Sequence, residues 1–281
     1  MKELTPTKNQ DLCGAEVFES RSKKHDVLKI VLCIMLALSV IANIVLLLTP
    51  TEQPSQQSSQ QKIEGKGFDS PQKAVLAYLD AFRKGDVDEM VATFAVESYI
   101  ENFDLEQYIR KFPTINFSLN IPLPNNNAYC QGINEYGRQY EVSHCIRLGY
   151  FELIGIEYIQ THFFSPNGDE GRKEIEAIID QLNAPDLAKK LSEMEVGNVL
   201  TVEDFDCDQQ DYEKALSLRM VYLAADEICD VAVELEFDGE AYYFYMQTAK
   251  INGKWYNVTT SSVLGIMLGD INGQTGGFAK R

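Results

Sequence analysis

Histidine and tryptophan are scarce in this 281-residue chain, with three and one respectively, and no Cys-x-x-Cys pair occurs. The first shortage excludes a histidine-rich metal centre, and the missing pair argues against zinc-ribbon or thioredoxin-like chemistry. Basic residues are also short. The 25 Lys and Arg stand against 42 Asp and Glu, for a formal charge of -17 and a pI near 4.6. A nucleic-acid binder needs a basic face, and this chain has none to spare. No cofactor is expected. Apolar residues make up 45% of the chain, enough for a packed core in one or two domains.

The one long hydrophobic run, Ile30 to Leu48, has 19 residues and no charge. As a helix it would span roughly 28 Å, close to the thickness of a bilayer core. Arg21, Lys23, Lys24 and Lys29 precede it, which places the N-terminus in the cytoplasm by the positive-inside rule. A cleaved signal peptide is the rival reading. The long preceding segment and the Thr49-Pro50-Thr51 sequence, which lacks a small-x-small cleavage site, argue against it. Cys33 lies too early in the run to serve as a lipidation cysteine. The expected organisation is a cytoplasmic tail over 1–29, a transmembrane helix over 30–48, a flexible Gln- and Ser-rich tether over 49–67, and an extracytoplasmic domain over 68–270. Residues 271–281 are expected to fray. After Leu48 the chain holds 19 basic and 37 acidic groups, so nearly all the acidity belongs to the exported part. That charge keeps the domain soluble and off anionic lipid.

Cys130, Cys145, Cys207 and Cys229 follow the span. In an oxidising compartment they permit two disulfides with three connectivities, or they stay as thiols.

Ser70-Pro71 predicts a helix start, with Ala74, Val75, Tyr78, Leu79 and Phe82 on one face and Lys84-Gly85 as its end. Asp86 opens a second helix, with Glu89 three residues on and Met90, Val91 and Phe94 as its buried stripe. A short third helix fits Asp104 to Phe112. Period-two alternation from Thr114 to Leu123 predicts an edge strand. Asn134 to Phe164 reads as helix despite its glycines, and helices are expected over Gly171–Leu182 and Pro185–Met194. Alternation from Val231 to Phe237, the Asp238-Gly239 turn, an aromatic strand from Ala241 to Ile251, the Asn252-Gly253 turn and a return from Lys254 to Thr260 predict a three-stranded meander.

Helices followed by a long antiparallel meander is the order of a cone-shaped α+β domain. The run Ser70-Pro71-Gln72-Lys73-Ala74-Val75 through Tyr78, Phe82, Lys84-Gly85-Asp86 and Phe94 resembles the opening of the nuclear transport factor two-like (SnoaL-like) superfamily. The segment Ala249-Lys250-Ile251-Asn252-Gly253-Lys254-Trp255-Tyr256 resembles its closing hairpin. The resemblance covers about residues 68–100 and 228–262. It implies helices packed on a curved antiparallel sheet, with a mostly helical insertion at about 113–210. Exported, membrane-tethered members are common in Gram-positive bacteria. The resemblance is nearly silent on function.

Candidate chemistry is thin. Asp204, Asp206, Asp208 and Asp211 resemble the start of a calcium loop, but Gln209 and Ala215 stand where it needs Gly and Glu. A strand end followed by a capped helix accounts for them better. Asp270, Asn272 and Gly273 fail as a dockerin-type loop for similar reasons. His144 and His162 would lie about 27 Å apart on one helix and cannot share a metal. Glu97, Tyr99 and Glu101 are weak pocket candidates. Tyr78, Phe82, Phe94, Tyr243, Tyr245 and Trp255 are the candidate lining of a cone pocket or partner patch. The functional expectation is a non-enzymatic binding or assembly module, able to self-associate, for a small ligand or a protein partner. The alternatives are an assembly factor of a conjugation or secretion machine, or a cofactor-free hydrolase or isomerase using a carboxylate such as Glu97 or Asp80.

Overall fold

A computed structural model describes residues 62–111, 121–155, 168–269 and 276–281. The Ile30–Leu48 span, the tether up to residue 61, most of the edge strand expected over 114–123, and His162 lie outside the described residues. Among the described residues no helix is long and apolar enough to cross a membrane.

Helix α1 (Pro71–Lys84) starts and stops where its caps dictate. The Ser70 side chain accepts the Lys73 N–H, and Gly85 turns left-handed at φ 68°. Its apolar face buries Val75, Tyr78, Leu79 and Phe82. Asp86 accepts the Glu89 N–H and starts α2 (Val87–Ala92). An unexpected short helix, α3 (Glu97–Asn102), precedes the expected third one, α4 (Leu105–Lys111), which Asp104 caps by accepting the Gln107 N–H at 3.0 Å. Helix α5 (Ala128–Leu153) begins six residues before the expected Asn134, because Asn127 caps it. Two short helices follow, α6 (Asp169–Leu182) and α7 (Leu187–Ser192).

The sheet is antiparallel and curved, with helices packed on it. Strands β2 (Glu227–Phe237), β3 (Glu240–Ile251) and β4 (Lys254–Thr259) are the expected meander. Its turns carry positive φ at Asp238, Gly239, Asn252 and Gly253. Two further strands correct the expectation. Strand β1 (Glu195–Leu200) comes from inside the supposed helical insertion and pairs with β2. Its alternation is hidden by Gly197 and by a register shift between Val196 and Val199. Strand β5 (Phe278–Lys280) comes from the tail expected to fray and pairs with Tyr242–Phe244 of β3. Phe278 is 5% exposed and packs against Phe82 and Phe244. Glu152 accepts the Gly276 and Phe278 N–H groups. Gly276 crosses α5 at Gly149 so closely that a Cβ there would meet backbone at 1.8 Å. Glycines that read as looseness are the condition for close docking.

The tether also ends earlier than expected. Gly65 donates to Ala92 O at 2.8 Å, Ile63 packs on the main core, and Glu64 is 3% exposed. Residues 62–67 therefore belong to the domain.

Helix α8 (Gln209–Leu223) is capped by Asp208, and Asp204 closes a reciprocal cap with Thr201. These bonds occupy two acids of the calcium-like run. The sheet separates two apolar layers. Val231, Val233, Leu235, Phe244 and Met246 face α1 and α5. Ala232 and Tyr245 face α8 and α9 (Val263–Met267). Along its free edge β4 is covered by Phe68, Thr93 and Ala95 through backbone bonds.

Tyr78 sits in the first layer, stacked on Phe244 at 5.4 Å and edge-on to Phe94 at 5.6 Å. Its hydroxyl is buried with no hydrogen-bond partner among the described residues. Tyr78→Phe keeps the ring contacts and removes an unsatisfied polar group, so it is expected to raise stability by about 1 kcal/mol in urea unfolding. A loss of similar size would show that the hydroxyl is bonded.

Candidate functional site

Strands β4 and β5 share one edge of β3, because β2 occupies the other along its whole length. At Thr260 the chain leaves that edge before β5 takes it up. A cavity of about 420 Å³ opens there, between α5 and α8 and against residues 258–261. That is within the range of small-molecule sites. Its wall includes Tyr99 from α3, Arg138, Glu141, His144, Cys145 and Leu148 from α5, Arg219, Tyr222 and Leu223 from α8, and Gln247 from β3.

Arg138 builds one side. It is 5% exposed. Its Nε donates to Ala95 O at 2.9 Å, one Nη to Val258 O at 2.8 Å and the other to Glu141 at 3.1 Å. The guanidinium lies 4.0 Å over the Tyr99 ring. One planar cation thus joins α5, the α2–α3 connection and the end of β4. Burial pushes the Glu141 carboxyl up and the Arg138 charge opposes that shift. Burial, aided by Arg147, lowers the His144 pKa and favours neutral imidazole.

Arg219 builds the opposite side. Its Nη1 donates to Gln247 Oε1 at 2.8 Å and to Ser261 O at 2.9 Å. Gln247 in turn donates its Nε2 to Asp230 at 3.0 Å, directly across the β2–β3 pair. Asp230 is 1% exposed and also accepts the Leu264 N–H at 2.7 Å. A buried acid thus positions Gln247, and Gln247 positions the arginine.

Burial raises the Asp230 carboxyl above its ordinary 3.8, against the hydrogen bonds from Leu264, Gln247 and Ser262. The folded state therefore binds this proton more tightly than the unfolded chain. The stability contributed by Asp230 is full below 3.8 and is lost as the pH rises through its folded value. Urea melts are expected to show wild type losing stability relative to Asp230→Asn as the pH is raised from about 4. A relative gain over that range would contradict the shift.

None of the six aromatics expected to line a pocket lines this cavity. Tyr78, Phe82 and Phe94 fill the first apolar layer. Tyr245 belongs to the second layer, and Tyr243 packs against it beneath Arg281. Trp255 is bridged to Phe68 on β4. Of the weak candidates only Tyr99 reaches the cavity. Glu97 accepts the Ile63 and Glu64 N–H groups and lines a separate cleft of about 190 Å³ together with Glu101, and Asp80 is exposed and paired with Lys84. None of these three acids lines the cavity between α5 and α8. Cys130, Cys145, Cys207 and Cys229 are free thiols, with Cys145 in the cavity wall. Asp230 is the residue that sequence reading missed with a visible signal: a carboxylate directly before the apolar run Val231-Ala232-Val233, in the buried stretch of β2.

No family model and no curated protein sequence matches the chain. Among solved structures the chain is similar to a cystatin-like protein from Ruminococcus gnavus ATCC 29149, with 12% sequence identity and a TM-score of 0.40. That match covers 75% of this chain and 44% of the other, so it spans less than half of that protein's length.

Proposed function

We propose that the chain is a single-pass, membrane-anchored extracytoplasmic binding module. Its Ile30–Leu48 segment is the anchor, and its domain is of the cone-shaped, nuclear transport factor two-like kind. The cavity between α5 and α8 is its ligand site. One observation carries this reading: the cavity is walled by side chains that a buried polar network holds in place, Arg138 through three acceptors and Arg219 through Gln247 and Asp230. Fixed polar groups around an apolar space are the common make-up of small-molecule sites. Sidedness is tested with a membrane-impermeant maleimide on intact cells. Labelling of Cys130 before lysis is expected, and labelling only after lysis would overturn the topology. A metabolite screen by thermal shift tests the binding role. A ligand present at a hundred times its Kd is expected to add about 2.7 kcal/mol.

A second reading has its own observation. On α5, Tyr129, Ile133, Tyr136 and Tyr140 recur at helical spacing and are all exposed, Tyr129 by 76% and Tyr136 by 75%. Such a stripe supports an assembly module that docks a partner or a second copy. A dimer by light scattering that Tyr136→Glu dissociates would favour it over a monomeric ligand binder.

A further inference from the structure

Reading the cavity as a ligand site leaves the chemical class of the ligand open, and Arg219 narrows it. The Nη1 hydrogens of Arg219 are committed inward, to Gln247 Oε1 and Ser261 O. The Nε and Nη2 groups remain. They form the side-on fork whose spacing matches the two oxygens of a carboxylate. Among the described residues no acceptor bonds to this fork, and no carboxylate stands within 4 Å of Arg219. The nearest acid in its own network, Asp230, is separated from it by the Gln247 amide. The other arginine of the wall is already satisfied, since Glu141 balances Arg138 and two backbone carbonyls take its remaining edges. The cavity therefore holds one cation whose charge is unmatched at contact distance, fixed along one edge and open along the other. Leu148 and the Tyr222 ring supply an apolar wall in the same cavity.

We infer that the cavity takes a small organic anion, its carboxylate on the Nε–Nη2 fork of Arg219 and its flat apolar body against Leu148 and Tyr222. The inference rests on the proposed ligand site and adds the class of ligand.

Benzoate and benzamide share a body and differ in charge, so they separate the two claims. Each is titrated against the full-length chain in non-ionic micelles by saturation-transfer NMR, with empty micelles as the blank. Benzoate is expected to bind at least about tenfold more tightly than benzamide. Arg219→Gln is expected to remove that preference, and Arg219→Lys, which keeps the charge and loses the fork, to retain part of it. The comparison of the two compounds on wild type stands whether or not a variant folds. Equal binding of the two by wild type, or a preference that survives in folded Arg219→Gln, overturns the anion assignment and leaves a ligand site. Failure of both to bind up to about 10 mM, the reach expected of so small a ligand, overturns the assignment together with the site.

Discussion

Arg138→Met is expected to lower the stability of the domain by about 3–5 kcal/mol. Methionine fills much of the same volume but donates nothing. Ala95 O and Val258 O lose their buried donors, Glu141 loses the cation that opposes its desolvation, and Tyr99 loses the guanidinium over its ring. Arg138→Lys is expected to restore less than half of the loss, because one ammonium on a flexible stem cannot reach three acceptors set around a plane. Combining Arg138→Met with Glu141→Gln removes the stranded acid and is expected to cost less than the sum of the two changes. Urea unfolding of wild type, the three single variants and the double variant measures each value. A cost below about 1 kcal/mol for Arg138→Met would mean that the cavity wall is held by something other than this arginine.

The second large effect is expected at Glu64→Ala, about 3–4 kcal/mol, or roughly 10 °C in Tm for a domain of this size. The Glu64 side chain has no solvent exposure. Its carboxylate accepts the Val96 N–H at 2.9 Å, the Ser98 N–H at 2.8 Å and the Ser98 hydroxyl, which are the open donors at the start of α3. Glu97 replies from that helix by accepting the Ile63 and Glu64 N–H groups, at 2.6 and 3.0 Å. Two carboxylates thus clasp two stretches of backbone reciprocally. Alanine at 64 leaves three buried donors without an acceptor. Glu97→Ala breaks the partly buried half of the clasp and is expected to cost less. If Glu64→Ala melts with the wild type, residues 62–67 are not a fixed part of the domain and the boundary reverts to Gly67.

What could be read from the sequence was whatever announces itself locally. The Ser70-Pro71 start, the Gly85 stop and the two hairpin turns each need particular residues at particular backbone angles, and these residues stand adjacent in the chain. Strands β1 and β5 escaped because an edge strand with a register shift, and a three-residue strand after glycines, carry little alternation. Their place is set by β2 and β3 and by the contact of Gly276 with Gly149. The cavity was less legible still. Arg138 and Arg219 are 81 residues apart and meet only because α5 and α8 flank the same sheet edge. The Asp230–Gln247 link depends on the β2–β3 register, which the Asp238-Gly239 turn sets but composition does not display. The aromatics drew attention as pocket candidates because they are large and frequent. Most of them are consumed in filling the two layers of the core.

The central claim is that the cavity between α5 and α8 holds a small molecule, and filling that cavity tests it most directly. Leu148 is nearly buried and lies in its wall. Leu148→Trp places a large side chain where a ligand would sit. Native mass spectrometry of the full-length chain, released from non-ionic micelles, compares this variant with wild type once circular dichroism has shown both to be folded. The expected result is a non-covalent adduct of a few hundred daltons, a mass suited to a site of this size, on wild type and none on Leu148→Trp. An adduct retained unchanged by Leu148→Trp, or none on wild type purified from its native host, would contradict the claim.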